Sequence, residues 1–318
     1  MLRPILVGIA AGLASALLFM APISGSILAF PLFILTPLPV AIAGLGWGVT
    51  GGLIAAASGA VVIAALLPGV IATTIFLAIF AGPVVWLARL ATMSRLNDAN
   101  DPSAGIDWYP LGSVLLHAAI AVSAGLVVTG FVTGYDPAII AEGATRVVVE
   151  FMTEVETTGP PPTAESVQPF VSLYIAILPF TVAAFMLAVT VFNLWLGGIV
   201  ARASGRMARP AERLWTVNPP NEILISFSVA LVLATLLPGA IGNVAALVAG
   251  AFGCALALVG LAVLHAVTLG MVGRGIILTA AYVLTFFSGL PLVLFAALGA
   301  AENFIHLRAR RFAGAPPT

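Results

Sequence analysis

GNVAALVAGAFGCALALVGLAVLHAVTL, residues 242–269, contains no Asp, Glu, Lys or Arg. A helix needs about 20 apolar residues to cross roughly 30 Å of hydrocarbon, and this stretch exceeds that length. Backbone groups in lipid must pair within a helix or a closed barrel. The apolar/polar alternation of a barrel strand is absent here, so the stretch reads as a transmembrane helix. Eight further segments read the same way: residues 5–21, 26–45, 48–67, 70–91, 111–133, 168–201, 223–238 and 276–301 among them being apolar over most of their length. The predicted fold class is therefore all-α, a polytopic transmembrane helix bundle of about eight to nine membrane segments, some broken by Pro and Gly. The 318 residues form a single membrane domain.

Composition agrees. Hydrophobic residues make up 61% of the chain and charged residues 8%, whereas a soluble domain carries about 25% charged and about 45–50% apolar residues. A water-soluble fold could not cover this much apolar surface. The 32 glycines and 22 prolines suit membrane helices, which tolerate both. Lysine is absent, every cation is an arginine, and the net charge is +0. No basic field exists to hold nucleic acid. The one cysteine, Cys254, excludes an intrachain disulfide or a cysteine-based metal site and reads as a small buried hydrophobe. The first 26 residues have some features of a signal peptide, but their long apolar stretch and the membrane segments that follow favour a retained first helix.

Polar loops divide the chain. A four-segment part, residues 1–92, precedes a loop at 93–110 with Arg95, Asp98, Asp101 and Asp107. Two helices within 111–201 flank an acidic loop, 134–167, which sets Asp136, Glu142, Glu150, Glu154, Glu156 and Glu165 against Arg146. Residues 202–221 then hold Arg202, Arg206, Arg209 and Arg213, and helices at 222–305 close the chain. Arginine collects on the cytoplasmic side. That rule predicts a cytoplasmic N-terminus, cytoplasmic loops at 93–110 and 202–221, and an external loop at 134–167. It also favours a cytoplasmic C-terminus, since Arg308, Arg310 and Arg311 lie there. Three C-terminal segments would place them outside. The parity is rescued if residues 276–301 fold as two short halves around Gly289 and Pro291.

Two stretches are irregular. In FPLFILTPLPVAIAGLGWG, residues 30–48, Pro31, Pro37 and Pro39 forbid one smooth helix. Such a break is tolerated only where protein or a cavity surrounds it. Residues 138–157 read as an amphipathic helix, with Ile139, Ile140, Ala144, Val147, Val148, Phe151 and Met152 able to share a face. It is either a lid over an external opening or an interfacial helix resting on lipid or on the bundle. LLPGVIA at 66–72 is echoed by LLPGAIG at 236–242, a pattern too common in membrane turns to establish a duplication.

Motifs for chemistry are missing. There is no P-loop, no HExxH zinc motif and no GxSxG elbow. No pair of intramembrane carboxylates is present. The expectation is a non-enzyme with no catalytic residues, no cofactor and no metal. Ionisable and amide residues at membrane depth are the functional candidates. His265 is a ligand or proton site facing the bundle, or a neutral imidazole bonded to the backbone of a neighbouring helix. His117 reads as interfacial. Asn193 and Asn243 are ligand groups or interhelical glue. Glu302 and His306 are four apart and share a face on a helix, with Asn303 alongside. They form a functional cluster, or a helix end anchored at the headgroups by Arg308, Arg310 and Arg311. Gly8, Gly12 and Ala16, and Ala10 with Ala14, put small residues at four-residue spacing and allow close approach of a second helix, in this chain or another.

Two resemblances follow from these residues. GLAVLHAVTLG at 260–270, with the terminal LGAAENFIHLRARR at 298–311, resembles the C-terminus of the YybS-like family of uncharacterised bacterial membrane proteins. In that family a Gly, an acid, an aromatic and an Arg close the last helix; Gly299, Glu302, Phe304 and Arg308 correspond, with Glu302 where Asp is more usual. FILTPLPVAIAGLGWGVTGGLIAAASG at 33–59, after a small-residue first helix, is similar to substrate-capture subunits of energy-coupling-factor vitamin transporters. There an Ala-x-x-x-Ala pattern docks onto a separate energising module, and Ala10 and Ala14 match it. The resemblances imply a bundle in the bacterial cytoplasmic (inner) membrane that captures or passes a small molecule with the help of partner membrane proteins. The other expectation is a membrane scaffold that organises partners. With so few buried polar residues, any cargo should be largely apolar, or be recognised mainly by backbone groups and the few Asn, Ser and Thr side chains.

Overall fold

A computed structural model describes residues 2–98, 101–154, 163–213 and 217–313. Thirteen helices run along the described chain: α1 (Leu2–Met20), α2 (Ala29–Ile34), α3 (Pro37–Leu66), α4 (Val70–Ile75), α5 (Gly82–Thr92), α6 (Leu111–Thr133), α7 (Pro137–Glu154), α8 (Ala164–Ala203), α9 (Glu222–Leu236), α10 (Gly239–Val267), α11 (Arg274–Ser288), α12 (Pro291–Ile305) and α13 (Leu307–Ala313). A 3₁₀ turn (Ala21–Ser24) follows α1, and a π-helical turn (Phe76–Ala81) joins α4 to α5. Six stretches among the described residues are long and apolar enough to cross a membrane: Leu2–Ser24, Ala29–Leu66, Val70–Thr92, Leu111–Thr133, Ala164–Ala203 and Gly239–Val267. The fold is an all-α bundle with the character of a multi-pass membrane protein.

The stretch Ala29–Leu66 is not one straight rod. At Gly48 the backbone takes φ 73 and ψ −173, outside the helical region. A Cβ on Gly52 would lie 3.2 Å from the Cα of Gly44, and one on Gly51 would lie 2.8 Å from the Ala43 carbonyl oxygen. Residues eight apart in a straight helix are separated by about 12 Å. The chain therefore folds back at Gly48 into two arms, 37–47 and 49–66. This matches the division between the segments expected at 26–45 and 48–67. The positive φ explains why a glycine occupies the elbow.

Small residues set the spacing throughout. α1 lies along the second arm of α3. A Cβ on Gly8 would sit 2.8 Å from Ile54, and one on Gly12 would overlap Ser58 and the Ala55 carbonyl. Gly8 and Gly12 thus face a helix of their own chain, while Ala10 is exposed and Ala14 half-buried. Gly125 of α6 meets the Ala78 carbonyl in the π-helical turn. Gly260 of α10 and Gly299 of α12 abut, each against the other helix's backbone. Side chains fill the remaining core. Phe19, Phe33, Phe76 and Phe80 form an edge-to-face and tilted cluster with centroids 5.1–5.8 Å apart.

The arginine-bearing loops lie on one face. Arg209 Nη1 donates to the Ala91 carbonyl at 3.0 Å and to the Tyr109 carbonyl at 2.9 Å. Arg308 Nη1 donates to the Val217 carbonyl at 2.5 Å, and Arg206 sits 5.5 Å over the Trp47 ring beside the Gly48 elbow. The loop at 93–110 contains a feature not expected from the sequence, an antiparallel hairpin of β1 (Ser94–Asp98) and β2 (Asp101–Trp108). At the C-terminal end, α12 crosses α10 at Gly260–Gly299, and Arg311 of α13 reaches the Leu269 carbonyl just beyond α10. The two helices therefore run in the same direction. The segment expected at 276–301 is a pair of 15-residue helices, α11 and α12, parted by Gly289 with φ 66. Each is about 22 Å long, shorter than the roughly 30 Å hydrocarbon layer.

At the opposite face, α8 spans 40 residues. At about 60 Å it is twice the thickness of that layer. Its N-terminus is closed by a capping box between Thr163 and Ser166. α7 packs on this outer half of α8. The amphipathic segment expected at 138–157 is thus helical as far as Glu154, and residues 155–157 lie outside the described ones.

Gly12→Leu should disrupt the α1–α3 contact, whereas Ala10→Leu adds a side chain on an exposed face. Thermal unfolding of the detergent-solubilised protein should show Gly12→Leu losing about 1–3 kcal/mol or more from overpacking, with Ala10→Leu within about 0.5 kcal/mol of the parent. Equal effects would contradict the assignment of the two faces.

Candidate functional site

The break between α2 and α3 creates the first candidate site. Leu35 and Thr36 interrupt the helix ahead of Pro37: Leu38 N–H, the helical partner of the Ile34 carbonyl, donates to the Leu35 carbonyl instead, and the Thr36 carbonyl stands at the head of α3. Two side chains from distant helices meet them. Asn193 of α8 donates from Nδ2 to the Ile34 carbonyl at 2.9 Å and to the Val189 carbonyl of its own helix at 2.8 Å. Ser15 of α1 donates from Oγ to the Thr36 carbonyl at 2.6 Å. Ser15, Thr36 and Asn193 are fully buried. Asn193 Oδ1 and Thr36 Oγ1 have no protein partner. This polar node ties α8 to the end of α2 and α1 to the head of α3 at the broken helix. Asn193 was legible as a candidate; Ser15 and Thr36 were not, because an ordinary Ser and Thr acquire meaning only when the break is placed beside them.

The other candidates separate. His265 Nε2 pairs with the Tyr282 hydroxyl of α11 at 2.8 Å, with the rings edge to face. His117 Nδ1 contacts the Ser113 carbonyl at 2.8 Å and packs near Trp86 and Tyr109. Asn243 is half-buried in the first turns of α10. Asn303 Nδ2 bonds the Gly299 carbonyl of its own helix at 3.1 Å.

Glu302 and His306 do not continue one helix face, as their spacing suggested. α12 ends at Ile305, and His306 is exposed with φ 51 and ψ 49. Glu302 instead turns to the start of α13. Its carboxylate accepts from Leu307 N–H at 2.8 Å, Arg308 N–H at 3.3 Å and Arg308 Nε at 2.8 Å. Both side chains of the Glu302–Arg308 pair are buried. A buried carboxylate with this many donors is satisfied as a structural joint. Among the described residues no group of three or more His, Cys, Asp or Glu could hold a metal ion.

A second buried arginine was not singled out by the sequence. Arg209 is 3% exposed and pairs with Glu212 through Nε and Nη2, while Nη1 bonds the Ala91 and Tyr109 carbonyls. It joins the end of α5, the start of α6 and the loop after α8.

The second candidate site lies at the opposite face. Between α7 and the outer half of α8 is a cleft of ≈ 640 Å³, lined by Ala144, Val148 and Met152 on α7 and by Val167, Phe170 and Val171, among others, on α8. Its walls are almost wholly apolar, with Ser166 and Tyr174 the polar exceptions. The volume is that of a small-molecule pocket, which typically encloses about 300–1,000 Å³. It arises because α7 meets α8 through Ala141, Ala144, Thr145, Val148 and Met152, of which only Ala141 and Thr145 are buried, while Ile139, Val147 and Phe151 of its apolar face stay exposed. Glu142, Glu150 and Glu154 project away from it into solvent.

No protein-family model, curated protein or solved structure matches the chain.

Asn193→Ala would strip the Ile34 carbonyl of its donor in a dry site. Removing a buried partner costs about 1–3 kcal/mol, so the unfolding midpoint should fall. Asn303→Ala removes only a bond within its own helix and should leave it within about 0.5 kcal/mol. Buried Cys254 is the chain's only thiol, so a thiol-reactive dye reads the transition directly. An unchanged midpoint for Asn193→Ala would show that the node does not hold the helices together.

Breaking the Arg209 joint should cost more. Arg209→Gln leaves Glu212 without its cation, and uncompensated charges in such pairs destabilise by about 3–5 kcal/mol. The 34% exposure of the Glu212 side chain lowers the expectation to about half of that range. The same dye assay tests it, and a loss no larger than that of Arg95→Gln on the exposed β-hairpin would refute the joint.

Proposed function

We propose that this chain is a transport-related protein of the bacterial cytoplasmic membrane that captures a small, largely apolar molecule at the cleft between α7 and α8. One observation carries this reading: a pocket-sized, nearly all-apolar cleft on the face opposite the arginine-rich loops. Arginine marks the cytoplasmic side, so the cleft faces outward in this reading, where a molecule arriving from outside would meet it first. The lower half of α8 continues from the cleft into the bundle, and Phe170 and Tyr174 at its rim offer flat apolar surface.

Capture by this chain would rely on partners for energy. The sequence has no nucleotide-binding motif, and the reading assigns it no catalysis. Ala10 and Ala14 lie on the side of α1 turned away from α3. The similarity to capture subunits of energy-coupling-factor transporters gives that face a role in docking an energising membrane protein. The similarity to YybS-like proteins bears only on the C-terminal closure.

The scaffold reading is favoured by a different observation. Asn193 is fully buried and bonded to backbone rather than lining an open cavity, so at its depth the bundle interior is packed.

The test is saturable binding of an apolar fluorescent naphthylamine to the full chain in lipid nanodiscs. One site per chain is expected, abolished by Val148→Asp and by Val171→Asp with the unfolding midpoint preserved. Non-saturable partitioning that both variants leave unchanged would remove the capture reading and favour the scaffold.

A further inference from the structure

The turn between α10 and α11 carries two arginines from separate parts of the chain. Arg311 of α13 donates from Nη2 to the Leu269 carbonyl at 2.7 Å, which holds its guanidinium against the turn. Arg274 opens α11 five residues later. The turn between them is tight: Met271 N–H donates to the Thr268 carbonyl at 3.1 Å and Arg274 N–H to the Met271 carbonyl at 3.3 Å. Gly270 and Gly273 make this possible with φ 73 and φ 87. Below the turn, the His265–Tyr282 bond pins α11 to α10.

Charge at this turn is unbalanced. Beyond Glu222 the chain has a single acid, Glu302, and Arg308 and the α13 backbone occupy it. Neither Arg274 nor Arg311 belongs to an ion pair among the described residues. Arg274 Nε is shielded from solvent and has no hydrogen-bond partner. A buried donor left unpaired is costly, and a guanidinium fork matches the oxygens of a phosphate.

The surroundings indicate where the phosphate comes from. Val272 at the tip of the turn is fully exposed and Met271 is about half-exposed. Along α11, Ile276, Val283, Phe286 and Phe287 also remain exposed. Arginines beside an uncovered apolar surface fit the boundary between headgroups and acyl chains.

We propose that Arg274 and Arg311 form a site for the phosphate of an anionic phospholipid, with its acyl chains along α11. The site is separate from the α7–α8 cleft and does not depend on the function assigned to that cleft.

Native mass spectrometry of the full chain released from nanodiscs of mixed phosphatidylglycerol and phosphatidylcholine reads the site directly. The parent should retain phosphatidylglycerol in preference to phosphatidylcholine. Arg274→Gln and Arg311→Gln should each lower that retention about tenfold, while Arg95→Gln, with the same change in charge on the exposed β-hairpin, should not. Arg274→Lys keeps the charge without the fork and should fall between the parent and Arg274→Gln, which guards against a folding defect in the glutamine variant. Retention by Arg274→Gln and Arg311→Gln equal to that of Arg95→Gln overturns the site. Displacement of the lipid by excess inorganic phosphate overturns the lipid assignment in favour of free phosphate; resistance to it supports the lipid.

Discussion

Inside a bilayer no water is at hand to pair a backbone carbonyl, so a broken helix must be answered by side chains. Here the break ahead of Pro37 frees the Ile34 carbonyl and leaves the Thr36 carbonyl at the head of α3, and Asn193 and Ser15 meet them from distant helices. That requirement decides which helices can be neighbours. α8 must present Asn193 at the depth of the break, and α1 must present Ser15. The rest of the N-terminal packing then follows: Gly8 and Gly12 let α1 lie close enough for Ser15 to reach, and Gly197 of α8 packs on Ala41 just past the break. A polar node and the glycines around it act together, because a bond of 2.6–2.9 Å cannot form across a contact held apart by larger side chains.

Polar joints at the arginine-bearing face work by a similar rule with charge added. Arg209 and Arg308 each spend a guanidinium on one carboxylate and on loop carbonyls. Both therefore fasten loops rather than wait for a ligand. Arg274 and Arg311 differ, since among the described residues neither is paired with a carboxylate. The same residue type thus divides into joints and an open site according to its counter-charges, a distinction that composition alone cannot make when the net charge is +0.

Much of the architecture was readable from the chain because lipid leaves so few options. Apolar length gave the helices, and Pro31, Pro37 and Pro39 located the break. Gly289 and Pro291 located the division into α11 and α12, whose paired short helices bring Arg308 back to the face of Arg209 as the charge rule required. The β-hairpin at Ser94–Trp108 was hidden, since its register pairs polar residues such as Arg95 with Asp107 and leaves no apolar alternation to read. The spacing of Glu302 and His306 suggested a shared face, but a left-handed residue at the helix end redirected the glutamate to α13. The node itself could not be read: Asn193 and Ile34 are 159 residues apart, and only the tertiary fold shows that they touch.

The cleft was hidden for a related reason. The amphipathic pattern of α7 specifies that one face seeks apolar surroundings but not what supplies them. Lipid, the bundle and a ligand all satisfy it. The outer half of α8 supplies part of the cover, and its length decides the matter: a 40-residue helix extends past the hydrocarbon layer and offers α7 a wall that a helix of about 20 residues would lack. α7 then covers that wall incompletely. Ala141 and Thr145 are buried against α8, whereas Phe170 and Tyr174 along the same wall stay largely exposed. The cleft is the part of that apolar wall which α7 leaves uncovered, and apolar surface left open to water favours whatever apolar group can fill it.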